Sequence, residues 1–76
     1  MEKFEITFEI EDGEHFYRIK RQEHNFRGNV QQIGRQIQKL CRHLDLPSNR
    51  AYEIESFIVR RYVKWNQKRE TISSRE

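Results

Sequence analysis

Apolar and polar residues alternate at the start of the chain, and this alternation constrains the fold more than any other feature. Over residues 4–10 every second side chain is apolar, which is the pattern of a β-strand with one buried face. Asp12 and Gly13 follow, a pair that favours a two-residue hairpin turn because both turn positions need a positive φ angle. Taking these two residues as the turn places Glu11 opposite Glu14 and sets the register of a β-hairpin.

The first 14 residues hold six acidic side chains and a single lysine, although the whole chain has a formal net charge of +3. In the predicted register Glu5 lies opposite Lys20, and Phe8 lies opposite Tyr17. Opposite charges in cross-strand positions contribute roughly 0.2–1 kcal/mol per pair. Pairing within the sheet therefore accounts for much of this acidity, and an acidic surface with a function of its own is the alternative.

An amphipathic helix without any acidic residue is predicted over residues 29–44. Asn29 is a good N-cap, Gln32 can return its hydrogen bond, and the helix should end near Leu44, ahead of Pro47. Its apolar residues share one arc: Val30, Ile33, Ile37, Leu40, Cys41 and Leu44. The opposite arc offers three cations and two amides to solvent: Gln31, Arg35, Gln38, Lys39 and Arg42. Like charges four residues apart repel each other, so this face favours an anionic partner.

A second helix is predicted from about residue 49 to residue 68, capped by Ser48, with two separate apolar patches. One arc suits the core: Ala51, Ile54, Phe57, Ile58, Tyr62 and Trp65. The second patch lies beyond Glu55 and consists of Tyr52, Val59 and Val63. Exposed apolar groups at helical spacing usually mark a partner surface, so these three residues are predicted to form a homodimer interface. The alternative is that residues 23–28, predicted to be a loop, fold over one patch through Phe26.

A chain of 76 residues with 34% hydrophobic and 36% charged residues has little apolar surface for a core, and dimerisation is the expected source of further stability. Cys41 is the only cysteine, which excludes an intrachain disulfide and favours a reducing, cytoplasmic location. No apolar run is long enough for a membrane span, and the acidic start does not resemble a signal peptide. We expect one domain over residues 1–69 and a disordered tail over residues 70–76.

Basic residues recur on the second helix, where Arg60, Lys64 and Lys68 are four residues apart. Cations near a helix C-terminus complement its dipole, which is a structural explanation for them. The functional explanation is that Arg60 and Lys64 extend the basic face of the first helix toward a nucleic acid. Arginine can bind the two acceptors of guanine, and glutamine can pair with adenine. DNA or RNA is therefore the expected partner, and a protein-interaction module, such as a small inhibitor or adaptor, is the alternative.

Signs of catalysis and of metal binding are weak. Cys41 and His43 are two positions apart and point to different sides of a helix, and neither His15 nor His24 has metal-ligand spacing. No glycine belongs to a phosphate-binding loop. We therefore expect no enzyme activity, no cofactor, no metal, no small-molecule substrate and no membrane contact.

The predicted fold is an α+β domain in which an N-terminal β-hairpin is followed by two amphipathic helices (ββαα). From Arg18 onward the order of strand, helix and helix resembles a ribbon-helix-helix DNA-binding dimer, and residues 46–54 resemble the inter-helix turn and second-helix start of that family. The resemblance implies that Arg18, Lys20 and Gln22 enter a major groove from a ribbon paired between two chains. This chain departs from the family in having a preceding strand. Residues 44–47 also resemble helix junctions in cyclin-box transcription factors, a fold with several more helices.

The hairpin turn gives a first test. Gly13→Val should lower the free energy of unfolding by more than about 1 kcal/mol, because a β-branched side chain resists the positive φ angle that the turn requires. Thermal or urea unfolding of the variant and the wild type measures the difference. Identical unfolding of the two proteins would show that the assigned register is wrong.

Overall fold

In the computed structural model, which describes the backbone of residues 4–74 and the side chains of residues 4–69, a three-stranded antiparallel sheet is followed by two helices. The elements are β1 (Glu5–Glu11), β2 (Glu14–Arg21), β3 (His24–Asn29), α1 (Ile33–His43) and α2 (Ala51–Ser74). Short 3-10 turns lead into the two helices: Val30–Gln32 and Ser48–Arg50. The predicted α+β class, a hairpin followed by two helices, is confirmed, and the structure adds a third strand.

The β1–β2 hairpin has the predicted register. The observed pairs include Glu5 with Lys20, Phe8 with Tyr17 and Glu11 with Glu14. Asp12 and Gly13 form the turn with φ angles of 53° and 79°. Both turn residues are thus left-handed, as expected for the two-residue turn that matches the twist of a hairpin.

The prediction of a loop over residues 23–28 is wrong, because residues 24–28 belong to a third strand. β3 pairs antiparallel with β2 and places Gly28 opposite Tyr17. The turn between the two strands uses Gln22, which takes a left-handed φ of 56°. Glutamine is not a typical residue for such a turn, and Phe26 is the only large apolar side chain in β3. Neither the turn nor the strand therefore has the usual sequence signature.

The third strand also overturns the expectation drawn from ribbon-helix-helix proteins. β2 is the central strand of the sheet, hydrogen-bonded to β1 on one edge and to β3 on the other. A ribbon between two chains needs a strand with a free edge. Both edges of β2 are occupied within one chain, so Arg18, Lys20 and Gln22 cannot form an intermolecular ribbon.

Both helices pack on one face of the sheet and enclose a small core. α1 lies against β3, α2 lies against β1, and the helices contact each other. The buried hydrophobic side chains are Tyr17, Ile19, Ile33, Ile37, Leu40, Cys41, Leu44, Leu46, Ala51 and Ile58. Burial raises the pKa of the Cys41 thiol. Toward β1 the core becomes aromatic and half-buried, with the Phe8 ring centroid 5.5 Å from that of Trp65 and 5.6 Å from that of Tyr62.

Tyr17 is the largest fully buried side chain among the described residues, and it depends on a glycine in the next strand. Its ring lies over Gly28, where an added Cβ atom would stand 2.7 Å from the ring and closer still to Oε1 of Gln36. The Tyr17 hydroxyl donates a hydrogen bond of 3.1 Å to that Oε1 atom and so joins β2 to α1. Burial, with a smaller effect of the Glu55 carboxylate, raises the pKa of Tyr17 to about 12. The phenol therefore remains a donor at neutral pH.

The C-terminal end of α1 is held by a left-handed residue and by an arginine from the sheet. Asp45 has a φ of 56°, and the amide of Leu46 donates to the carbonyl of Cys41 at 2.8 Å, which is the Schellman arrangement. Nη1 of Arg21 donates hydrogen bonds of 2.8 Å to the carbonyls of Leu44 and Asp45. These bonds satisfy carbonyl groups that the end of a helix leaves without intrahelical partners.

The helix starts differ from the predicted ones in detail. Asn29 caps the first helical segment as expected, since its Oδ1 atom accepts from the amide of Gln31 at 2.9 Å, but the first turn is 3-10. The predicted Ser48 cap is wrong, because Ser48 is itself the first residue of a 3-10 turn that follows the extended Pro47. The turn has no side-chain cap, and the α-helix begins only at Ala51.

The second helix is longer than predicted. It continues to Ser74, past the expected end near residue 68, because residues 66–74 contain neither proline nor glycine. Of the tail predicted to be disordered, residues 70–74 continue the helical backbone, and residues 75 and 76 lie outside the described part of the chain.

Two glycines give opposite tests of the packing. Gly28→Ala should lower the stability by more than about 1 kcal/mol, because its methyl group overlaps the buried Tyr17 ring and Gln36. Gly34→Ala, in the first turn of α1, should raise the stability by roughly 0.5–1 kcal/mol, since helical glycine is unfavourable. Its closest new contact is an ordinary 3.5 Å to Oε2 of Glu55. Urea unfolding measures both changes, and a Gly28→Ala variant as stable as the wild type would contradict the described position of Tyr17.

Candidate nucleic-acid interface

The solvent-facing side of α1 carries four of the five residues predicted to bind nucleic acid on the first helix, and the fifth, Gln31, lies in the 3-10 turn that leads into it. The opposite side is buried in the core through Ile33, Ile37, Leu40 and Cys41. Burial of that side sets the rotation of the helix and turns the remaining positions outward. All five predicted residues are exposed: Gln31, Arg35, Gln38, Lys39 and Arg42. They form one surface about 17 Å long, given the 1.5 Å rise per residue of a helix. We refer to these five residues as the basic face of α1.

The cations of the basic face form no ion pair with the described residues. Among residues 4–69, no carboxylate forms an ion pair with Arg35, Lys39 or Arg42, and α1 itself holds no acidic residue. Arg35 and Lys39 are one helical turn apart, a spacing at which like charges cost a few tenths of a kcal/mol. Contacts within the described chain do not offset that cost.

Two cations on the uncovered face of the sheet, Arg18 and Arg27, are in contrast paired. Glu9 accepts from Nε of Arg18 at 2.8 Å and from Nε of Arg27 at 3.0 Å, and Glu11 accepts from Arg27 at 2.7 Å. The hydrogen bonds from Arg18 and Arg27 hold the pKa of Glu9 below its usual value. The guanidinium of Arg27 also lies 3.9 Å from the centroid of the Phe16 ring. Much of the acidity of β1 thus serves pairing within the sheet.

The predicted residues of α2 occupy a separate surface. Arg60 and Lys64 are exposed, and by helical spacing they lie on the side of α2 that is turned away from the buried Ile58. Neither forms an ion pair with residues 4–69. The two helices are neighbours, but within this range no hydrogen bond joins Arg60 or Lys64 to the basic face of α1. The structure therefore brings together five of the seven predicted residues and leaves the other two on the adjacent helix.

The three predicted interface residues form an exposed apolar patch on α2. Tyr52 is 80% exposed, Val59 is 37% exposed and Val63 is 44% exposed. Phe26, which was expected to be able to cover such a patch, instead packs in the sheet against Tyr17 and His43, with ring centroids 6.1 Å and 5.4 Å away. That alternative is wrong, because the segment that carries Phe26 is a strand. We refer to Tyr52, Val59 and Val63 as the α2 patch.

Sequence reasoning missed two arginines with definite roles. Arg27 lies in the unpredicted third strand, so its pairing with Glu9 and Glu11 could not be foreseen. Arg21 ends β2 and reaches the carbonyls at the end of α1, a contact between elements 23 residues apart that no local pattern indicates. Both arginines contribute to the architecture, whereas the cations of α1 make no such contribution among the described residues.

The described residues contain no group of three or more His, Cys, Asp or Glu side chains that could hold a metal ion. None of the helices in that part of the chain is long and apolar enough to cross a membrane. His15, one of the histidines considered for metal binding, lies 2.6 Å from the hydroxyl of Tyr62 through its Nδ1 atom.

Comparison of the chain with protein-family models, curated proteins and solved structures found no match.

Paired and unpaired cations should respond differently to pH. Glu9 has a lowered pKa in the folded state, so the stabilisation from its arginines is present above the unfolded pKa near 4.5 and is lost as the pH falls through the folded value. Arg27→Gln should therefore destabilise the fold at neutral pH, and the difference from wild type should shrink in acid. Packing of Arg27 on Phe16 leaves a remainder that does not depend on pH.

Arg35→Gln is the matched control, because Arg35 has no carboxylate partner among the described residues. Its melting temperature should follow that of the wild type from pH 7 to pH 3. Circular dichroism melts across this range measure both variants. A pH-independent deficit for Arg27→Gln would show that the Glu9 pair does not stabilise the fold.

Proposed function

We propose that the protein binds duplex DNA through the basic face of α1. One observation carries the proposal: three cations and two amides share one exposed helical face, and no described carboxylate neutralises them. Arg18 and Arg27 of the sheet are, by contrast, paired with carboxylates. An anionic polymer would supply negative charges to the cations of α1, which have no carboxylate partner among the described residues.

The composition of the face favours duplex DNA over other nucleic acids. An α-helix of 10–12 Å diameter fits the major groove of B-form DNA, which is about 12 Å wide, whereas the major groove of A-form RNA is too narrow for side-chain readout. Proteins that bind single strands offer aromatic side chains for stacking on bases, and the basic face of α1 has none. Arginine and glutamine are, moreover, the side chains that read guanine and adenine in the major groove.

The proposed roles follow from side-chain chemistry. Arg35, Lys39 and Arg42 would contact phosphates, and an arginine that reaches a base edge would bind guanine through two hydrogen bonds. Gln31 and Gln38 can each donate to and accept from adenine. Arg60 and Lys64, on the neighbouring helix, would contact the flanking backbone. Phosphate contacts would provide most of the affinity and the glutamines would provide the discrimination between sequences.

The test removes the charges of the basic face while leaving the core unchanged. Substitution of Arg35, Lys39 and Arg42 together by Gln should leave the melting temperature close to that of wild type, because all three side chains are exposed. Affinity for a labelled duplex, measured by fluorescence anisotropy, should fall. The slope of log affinity against log salt should become shallower by roughly 0.9 for each DNA phosphate that the variant no longer neutralises.

A triple variant with the same change in net charge is the control. Lys20, Arg61 and Lys68 are exposed and lie off the basic face, so their replacement by Gln should weaken binding far less. Equal losses of affinity for the two triple variants would mean that net charge, and not α1, drives binding. Absence of any duplex binding by the wild type at low salt would overturn the proposal.

A sequence-specific reader should also lose discrimination when Gln31 or Gln38 becomes Ala, with little change in the salt slope. Competition between duplexes of different sequence measures this effect. Unchanged discrimination in both variants would assign α1 to the DNA backbone and not to its bases.

A further inference from the structure

The α2 patch runs along a helix that is acidic in its first turns and basic from residue 60 to residue 69. α2 has 24 residues and is about 36 Å long. Tyr52, Val59 and Val63 lie on one stripe, because steps of seven and four residues nearly complete whole turns. Acidic residues, Glu53 and Glu55, lie in its first turns, and the charged residues between positions 56 and 69 are all basic: Arg60, Arg61, Lys64, Lys68 and Arg69.

The position of α1 determines from which side a partner can reach this stripe. The Glu55 carboxylate lies next to Gly34 of α1, with a separation of 3.5 Å from the position that a Cβ atom would take. One flank of the patch therefore adjoins α1. The opposite flank is open and carries Glu53, Arg60 and Lys64, all of them exposed.

We propose that α2 pairs with α2 of a second copy of this chain in antiparallel orientation, with the twofold axis near Val59. A twofold axis across two antiparallel helices brings the same flank of each helix together. At 1.5 Å per residue, Glu53 lies about 9 Å on one side of Val59 and Lys64 about 8 Å on the other. Glu53 of each copy then faces the partner's Lys64, twice in the dimer, whereas the two Arg60 side chains, about 2 Å from the axis along each helix, approach each other once. Parallel pairing would instead place acidic turns beside acidic turns and basic turns beside basic turns, which is unfavourable.

The competing route to self-association, through the free edge of β1, is disfavoured by charge. β1 is an edge strand, and its outward side chains include Glu5, Glu9 and Glu11. Antiparallel pairing of β1 with its own copy about Phe8 would place Glu5 opposite the partner's Glu11. Like charges in opposed positions destabilise a sheet, and charged edge strands are a common protection against such pairing.

Sedimentation equilibrium of the wild type, without nucleic acid and up to high micromolar concentration, should show a dimer. Val59→Glu should weaken the dimer by about a hundredfold or more, because two charged carboxylates would replace apolar side chains at the centre of the interface. Circular dichroism should show this variant still folded, since Val59 lies outside the core. A monomeric wild type, or a dimer unaffected by Val59→Glu, would overturn the proposal.

Charge reversal tests the orientation. Glu53→Lys and Lys64→Glu should each weaken the dimer by roughly five- to tenfold at low salt, since each puts like charges together twice. The double variant should restore wild-type association, because the antiparallel pairs reform with reversed sign. Loss of the pair of Glu53 with Arg50, 3.3 Å apart, is not repaired by the second substitution, so restoration reports contacts between chains. Additive weakening would exclude the antiparallel arrangement.

The proposed dimer does not depend on DNA binding by the basic face of α1, although Lys64 of α2 has a place in both proposals. Replacement of Arg35, Lys39 and Arg42 by Gln should leave the dimerisation constant unchanged, because these residues are on α1 and not on the flank of α2 that meets the partner. A dimer that fails to bind DNA would overturn the proposed function only, and a DNA-binding monomer would overturn the α2 pairing only.

Discussion

The central strand, β2, is hydrogen-bonded to α1 at two points, and these bonds set the orientation of the helix and of its polar face. Tyr17 of β2 donates a hydrogen bond to Gln36 in the middle of the helix, and Arg21 at the end of β2 donates to the carbonyls of Leu44 and Asp45. Buried side chains of α1 fill the space between these two anchors. The helix can therefore neither rotate nor slide without breaking a hydrogen bond to the sheet. A fixed rotation turns its polar residues into one defined surface.

The arginines of the sheet and the cations of α1 contribute differently to the stability of the fold. Those of the sheet face carboxylates across neighbouring strands, and one of them, Arg27, also packs on an aromatic ring. Those of α1 repel one another by a few tenths of a kcal/mol per close pair, which is small beside the roughly 5–15 kcal/mol by which domains are stable. A small domain can tolerate such a cost, but nothing in the packing of the described residues requires it. Binding of an anion by α1 would explain why these cations are grouped on one face, whereas the packing of the described residues does not explain it.

Local patterns were sufficient to predict the hairpin, the two helices and the outward face of α1. Alternation up to Ile10 and the Asp12-Gly13 turn determine the register directly, because a slip of one residue would expose every apolar side chain of β1. The third strand was missed because its signals are not local. Gly28 belongs in a strand only because the Tyr17 ring needs the space above it, and Gln22 turns left-handed only because β3 pairs with β2. Contacts between distant elements decide both positions.

The candidate site, too, has features that local sequence patterns predict and features that depend on contacts between distant residues. Exposure of the basic face follows from the 3.6-residue period, so it could be predicted from the sequence. That no described carboxylate pairs with its cations could not be predicted, because this depends on which acidic residues the fold brings near. The structure places Glu9 and Glu11 on the far side of the sheet and Glu55 beside Gly34.

Cys41 can report how often α1 separates from the sheet. Its sulfur is buried between α1 and the remainder of the core, and burial raises its pKa, so the native chain gives thiol reagents little access and holds the sulfur more strongly as the thiol. Chemical labelling must therefore wait until α1 separates from the sheet. Because no other cysteine competes, the labelling rate measures how often that separation occurs, without any introduced probe. A partner that binds the outer face of α1 and holds the helix in place would slow the reaction even though it never touches the sulfur.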